Sequence, residues 1–423
     1  MPQKVLFFFP HNPCPPRSGA HKRCLEILSG LKDLGCAITL VSSTLCSETP
    51  WEADSIQALK ARGVKDVLVY QATRWDYRFA RIYRKFYQVC RWQPPIDSLA
   101  QTPPGMRRWF QSVLRRNPPD LIFMNYAFWD GLLNHRQLQS IPRISDTHDL
   151  FTLNHQMREA LQPYFRHLPL SSAQVDDTVL KEDFFERQQL SPKAEEFYIY
   201  DRYTHIITIS KSETEVLQQQ THNPQVHWVP MTQTVPHLDN QYSGTVVFPT
   251  GPNPFNLQGY FYFVKKVLPQ ILAHVPDFTL QVTGACCQDI CAESGVLLSG
   301  FVPSLKPIYQ QARFMICPVF GGTGQPVKII EAMAHGVPVL ALNCATKAFP
   351  IHHQFNGLIA ENAEEFSDYA IQLWNNPAWC RQLGAEAKKT IQTEFSRDLL
   401  LEKLAPIVGL KREPLAAHSG AKP

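Results

Sequence analysis

The 423-residue chain is predicted to be an α/β protein of two domains, each a parallel sheet covered by helices, and three observations carry that reading. Short apolar runs rich in β-branched and aromatic residues alternate with segments of helical period, beginning with VLFFF at residues 5–9, a helix over 21–34 and a second strand over 37–42. That opening is a βαβ unit, which implies a parallel sheet with ligands at the carboxyl ends of its strands. The alternation breaks at residues 222–244, a polar stretch with three prolines, and then starts again, so the hinge is placed there. The length suffices for two cores, and 44% hydrophobic residues is ordinary for a globular chain.

In the first half, further strands are expected at 66–70, 121–125, 143–146, 205–209 and 225–229. Ser210 followed by Glu213 reads as a capping box opening a helix. In the second half, strands are expected at 245–250, 279–284, 297–301, 314–318, 337–342 and 357–359, with one helix over 257–274. Residues 364–410 are helical. Phe366, Ala370, Leu373 and Trp374 form an apolar stripe, a helix follows at 383–395, and Ser396 caps a last one ending near Val408. The domains are therefore 1–235 and 240–385, two Rossmann-like units. Helices at 386–410 follow, and 411–423 form a polar tail expected to be disordered.

Composition narrows the function classes. A formal charge of +4 favours anionic partners in general and is too mild to point to nucleic acid. No run of about 18 apolar residues occurs, so a spanning helix is not expected. The apolar stretch 5–9 is too short for a signal peptide and is followed by Pro10 and Pro13, which fits a first strand in a cytoplasmic protein. Eleven cysteines are scattered. The close group Cys286, Cys287 and Cys291 has no partner cluster of His or Cys, so buried thiols rather than a metal site are expected.

The richest segment is residues 318–342, PVFGGTGQPVKIIEAMAHGVPVLAL. Gly321, Gly322 and Gly324 form a turn of little bulk, so backbone N–H groups can approach an anion where the next helix begins behind Pro326. Lys328 adds a point charge near that helix start. Glu331, about one turn on, is suited to accept hydrogen bonds from a ribose diol. Together they read as a nucleoside-diphosphate cradle. In the first half, ISDTHDLFTLNH at residues 144–155 places Asp146, His148 and Asp149 at the carboxyl end of a strand, where polar groups line the cleft of an open parallel sheet. Asp149 is a candidate base.

GTGQPVKIIEAMAHGVPVLAL resembles the donor-binding signature of the retaining glycosyltransferases of family 4, which have the GT-B fold. That resemblance implies two Rossmann-like domains facing each other across a cleft, with the helices at 386–410 crossing back to the first domain. The resemblance implies transfer of a sugar from a nucleotide-sugar to an acceptor hydroxyl with retention of anomeric configuration. It also implies no metal cofactor, and an acceptor that is a carbohydrate or lipid-linked glycan of the cell envelope. It assigns donor binding to Gly19, Gly251, Asn253, Val302, Gly322, Thr323, Gly324, Gln325, Lys328 and Glu331, and catalytic roles to Asp149, His148 and Lys328. The sequence departs from the family pattern in three places. Thr323 stands where the first of two glutamates is usual, Ala20 replaces a second glycine beside Gly19, and the usual Arg and Lys after residue 250 are missing, the nearest cations being Lys265 and Lys266. Two alternatives therefore stay open: a catalytically silent nucleotide-sugar-binding subunit, and a GT-B epimerase or phosphorylase.

Residues 74–92, RWDYRFARIYRKFYQVCRW, hold six Arg or Lys against one Asp, with seven aromatics. On a helix, Trp75, Phe79, Ile82, Phe86 and Val89 share a face beside Arg74, Arg78, Arg81 and Lys85. Two readings follow. One is an interfacial helix on an anionic membrane, bringing the cleft to a lipid-linked acceptor; the other is a helix packed on the first sheet with its basic face solvated.

Overall fold

The computed structural model describes residues 2–45, 47, 49–222, 225–237, 240–251, 253–343 and 350–411. They form two sheets whose strand pairings are all parallel. The first contains β1 (Lys4–Phe8), β2 (Ala37–Ser43), β3 (Val64–Tyr70), β4 (Leu121–Asn125), β5 (Arg143–Asp146), β6 (His205–Thr208) and β7 (Val226–Trp228). Its order is β3-β2-β1-β4-β5-β6-β7. The second contains β8 (Val246–Thr250), β9 (Leu280–Gly284), β10 (Val296–Gly300), β11 (Met315–Cys317), β12 (Val339–Leu342) and β13 (Leu358–Ala360), in the order β10-β9-β8-β11-β12-β13. Strand order reverses between β1 and β4 in one sheet and between β8 and β11 in the other. Those are the two places where an open parallel sheet leaves a crevice for ligand.

Both sheets are buried on two faces. Along β1, Leu6 and Phe8 join a cluster with Met106, Phe110 and Ile122, while Val5 and Phe7 join another with Leu28 and Leu31. The period of two sends alternate side chains to opposite layers, and Phe7 stacks on Phe123 with centroids 4.8 Å apart. In the second sheet Val246 and Phe248 face one layer and Val247 the other.

The helix after β1 spans Gly19–Asp33, two residues earlier than the sequence pattern placed it, because the Ser18 hydroxyl accepts from His21 N at 3.3 Å and draws Gly19 and Ala20 into the first turn. The helix expected over 257–274 is divided. Pro254–Tyr262 is α-helical, Phe263–Val267 widens to π geometry, and Leu268–His274 completes it. Pro269 has no N–H to donate back one turn, which accounts for the widening before it. Ala363–Asn375 and Pro377–Glu394 are separate helices, and the second starts six residues before the expected 383, opened by Pro377.

The last helix, Arg397–Ile407, lies on the first helix of the other domain. Leu400, Leu404 and Ile407 share a core cluster with Leu28 and Leu31, and Arg397 donates to Asp33 at 2.6 Å and to Ser29 at 2.9 Å. Residues 412–423, most of the expected tail, lie outside the described residues.

The basic segment forms a helix, Arg74–Val89, but not one packed on the sheet by its apolar stripe. Only Asp76 and Ala80 are buried, whereas Trp75, Ile82, Phe86 and Val89 are exposed. Among the described residues, no helix is long and apolar enough to cross a membrane.

Candidate active site

The turn after β11 leads into the helix Val327–Ala334. Gly322 has φ +121°, a conformation that a side chain would strain. Gly324 is required for a different reason. A Cβ there would stand 3.0 Å from the carbonyl oxygen of His148, so this turn meets the first domain in direct contact.

The start of Val327–Ala334 faces the start of Gly19–Asp33. A Cβ on Gly19 would be 3.5 Å from Val327 Cγ2, so two helix N-termini, each carrying positive partial charge, converge from opposite domains. Lys328 stands in the same place. Its Nζ lies 3.8 Å from where a Cβ on Gly251 would be, at the end of β8, and among the described residues it has no hydrogen-bond partner. Burial pulls its pKa down to about 8, against the opposing pull of Glu331. A turn further along, Glu331 lies 3.8 Å from Lys22 Nζ of the first helix. The result is a concentration of positive potential with Glu331 at its rim, an arrangement suited to a diphosphate.

The opposite wall comes from β4 and β5. His148 has φ +63°, shares a 2.8 Å hydrogen bond between Nε2 and Asn125 Oδ1, and stacks on Tyr126 with centroids 4.1 Å apart. Burial lowers its pKa to about 4, so it is a neutral imidazole at physiological pH. Asp149 is only partly exposed. Burial, reinforced by the charge of Glu196, raises its pKa to about 7. Asp146 is different in kind: fully buried, it accepts from Arg23 Nε at 2.9 Å and fixes the first helix to β5. Ser210 caps Lys211–Gln220, accepting from Glu213 N at 3.2 Å, but the Glu213 carboxylate accepts from Thr147 Oγ1 and, at 3.4 Å, from Ile209 N, so the expected reciprocal half of the capping box is not made.

Residues 243–376 match the family model described as Glycosyl transferases group 1. A Haemophilus influenzae protein described as an uncharacterized glycosyltransferase is 27% identical over 165 residues, covering 36% of this chain and 44% of the relative. A Klebsiella pneumoniae protein described as an uncharacterized 44.6 kDa protein in the cps region is 24% identical over 154 residues, covering 34% and 40%. These matches thus span less than half the length of the curated relatives. Among solved structures, sucrose-phosphate synthase from Thermosynechococcus elongatus aligns with a TM-score of 0.63 at 16% identity, covering 96% of this chain and 98% of that one. TarM of S. aureus, in complex with Fondaparinux, alpha-GlcNAc-glycerol and UDP, aligns at 0.65 and 12%, covering 96% and 100%. HepE of Anabaena, in complex with UDP and glucose, aligns at 0.59 and 13%, covering 96% and 98%. The fold is GT-B, and residues 243–376 of its second domain match the group 1 glycosyltransferase model.

Within that GT-B frame the remaining predicted residues fall into two sets. Gly19, Gly251, Gly322, Gly324, Lys328, Glu331, His148 and Asp149 gather at the cleft between the switch points. Others are engaged elsewhere. The Gln325 side chain accepts from Met231 N at 2.7 Å and donates to Met231 O at 3.4 Å, so it fastens the linker instead of facing the cleft. The Thr323 hydroxyl accepts from Leu150 N at 3.1 Å, and its carbonyl accepts from Ser210 Oγ at 3.3 Å, making it a clasp between domains. Asn253 caps Pro254–Tyr262 by accepting from Asn256 N at 3.0 Å. Val302, in the loop after the edge strand β10, has no described contact to Lys328 or Glu331. Lys265 and Lys266 pair with Asp177, at 2.7 and 3.5 Å, and contribute nothing to the cradle. The cation that the sequence reading missed is Lys22, three residues after Gly19 and hence on the same helical face near its start.

Proposed function

We propose that this chain transfers a sugar from a nucleoside-diphosphate sugar to an acceptor hydroxyl with retention of anomeric configuration. The observation that carries the reading is the buried Lys328 ammonium, which has no hydrogen-bond partner among the described residues, between two converging helix N-termini, with Glu331 one turn away. A diphosphate satisfies the ammonium, and a ribose diol satisfies the carboxylate. The complexes of HepE and TarM with UDP support a nucleotide of this class.

In the proposed reaction the bond between the anomeric carbon and the diphosphate oxygen breaks, and the charge grows on the leaving phosphate. Lys328 and the helix N-termini stabilise that charge, a role for which a low-dielectric, preorganised site is well suited. The acceptor oxygen bonds to the anomeric carbon from the same face, and its proton passes to the departing phosphate. Neutral His148 and the Asp149 carboxylate orient sugar or acceptor hydroxyls on the first domain. The charge stabilisation uses this chain's own groups, so no metal is assigned to the step. The Klebsiella relative from the cps region supports an acceptor in envelope polysaccharide or glycolipid synthesis.

A second reading, binding of the nucleotide-sugar without turnover, is favoured by one observation: Thr323 offers a clasp where the family signature has a carboxylate. Calorimetric titration with UDP-, GDP- and ADP-sugars, followed by NMR of the product anomer, tests both. Tight binding of one donor and an α-to-α or β-to-β product is the expected result. Binding without product favours the second reading, and an inverted product contradicts retention.

A further inference from the structure

The helix Arg74–Val89 is amphipathic in the unusual sense that its apolar stripe faces water. Trp75 is 74% exposed, Ile82 59%, Phe86 53% and Val89 72%, and just past the helix end Trp92 is 63% exposed. At 100° per residue the four helical positions fall within one narrow stripe. Arg74, Arg78, Arg81 and Lys85 border it on one side, and among the described residues none of these cations forms an ion pair. The single acid of the helix, Asp76, is buried and accepts from Tyr70 OH and Thr73 N, each at 2.8 Å, so it does not offset them.

The anchoring of the helix fixes where this surface lies. Asp76 holds Tyr70, the last residue of β3, and Tyr77 OH donates to Thr44 O, just past the end of β2, at 3.2 Å. Both contacts are at the carboxyl edge of the first sheet. Because the sheet is parallel, that edge also carries Gly19, His148 and Asp149. Beside the helix, a groove of about 600 Å³ is lined by Tyr77, Arg81, Arg84, Lys85 and Gln88. It has the size and charge for an anionic headgroup.

We infer that Arg74–Val89 is an interfacial helix that seats this protein on an anionic lipid bilayer, its apolar stripe in the headgroup boundary and its cations on lipid phosphates. The chemistry favours a bilayer over the alternatives. Nucleic acid would use the cations but has no place for exposed Ile82 and Val89 between them, and a second copy of this chain would bring the same uncompensated cations face to face. The inference stands apart from the donor reading, since it is tested without nucleotide.

The full chain is floated with vesicles of phosphatidylcholine alone and of phosphatidylcholine with about one third phosphatidylglycerol. The wild type is expected to float with the anionic vesicles, less at high salt, and not with the neutral ones. Converting Arg78, Arg81, Arg84 and Lys85 together to Gln should lower partitioning by at least about a hundredfold, given roughly fivefold per cation near the surface. Ile82→Ser with Phe86→Ser should lower it by about tenfold with the charges intact. A thermal melt of both variants checks that they are folded. No flotation of the wild type, undiminished flotation of either variant, or self-association or nucleic-acid binding in place of vesicle binding would overturn the inference.

Discussion

Lys22 in the first domain places its Nζ 3.8 Å from Glu331 Oε2 in the second. The pair spans the cleft at the mouth of the cradle, and Lys22 is half exposed, so its contribution to stability is small, on the order of 0–1 kcal/mol. Its consequence is functional. Lys22→Ala should leave thermal stability nearly unchanged while raising the donor dissociation constant by about three- to tenfold, because one of the two cations near the diphosphate is lost. Calorimetric titration beside a thermal melt checks this, and an unchanged affinity counts against a donor role for Lys22.

Glu331 is assigned to the donor's paired hydroxyls. Loss of a charged hydrogen bond is worth roughly 1.5–3 kcal/mol, so Glu331→Ala should weaken donor binding by at least about tenfold. A 2′-deoxy donor should lose affinity for the wild type and little for the variant. Equal discrimination by both proteins would remove Glu331 from the ribose.

Asp149 gives a pH signature whose sign is fixed by its environment. Its pKa rises from 3.8 to about 7 in the folded protein, so the folded state holds a proton that the unfolded state has released, and this group's contribution to stability falls as pH climbs from about 4 to 7. Asp149→Asn should therefore stabilise the protein by roughly 1–3 kcal/mol at pH 8 and by nothing below pH 4. For transfer, the carboxylate form is the useful one. The wild-type kcat/KM should rise with an apparent pKa near 7, and that limb should vanish in the variant.

Transfer should persist in excess chelator, because Lys328 and the helix N-termini take the charge that a cation would otherwise neutralise. Activity abolished by chelator and restored by magnesium or manganese would refute this.

The parallel strands were legible because each carries a short run of Val, Ile, Leu or Phe between turn residues, and the cradle because a glycine turn, a lysine and a glutamate fall at helical spacing. What stayed hidden was set by contacts distant in sequence. Gln325 looked like a ligand residue until its partner, Met231, was in place, and Thr323 until Leu150 N was seen to donate to it. Lys22 carried no local signal, since its role depends on a helix more than 300 residues away. Proline was underread at Pro269, where helical periodicity continues through a missing N–H, and at Pro377, which opens a helix six residues before the expected 383. The stripe of residues 74–92 had the right period for a helix, but periodicity alone does not say whether an apolar face meets a sheet or solvent.

The central claim is that the cleft is built around Lys328 to receive a diphosphate, and one substitution reads it with opposite signs. With its pKa lowered from 10.5 to about 8, the folded state binds fewer protons than the unfolded one between those values. The buried ammonium therefore costs stability below about pH 8, and that cost fades as pH rises towards 10.5. Lys328→Met should raise the stability of the ligand-free protein at pH 7 by roughly 1–3 kcal/mol while weakening donor binding by at least about tenfold, both measured on the same sample by thermal melt and calorimetric titration. A variant that is less stable than the wild type, or one that binds the donor as tightly, would contradict the account.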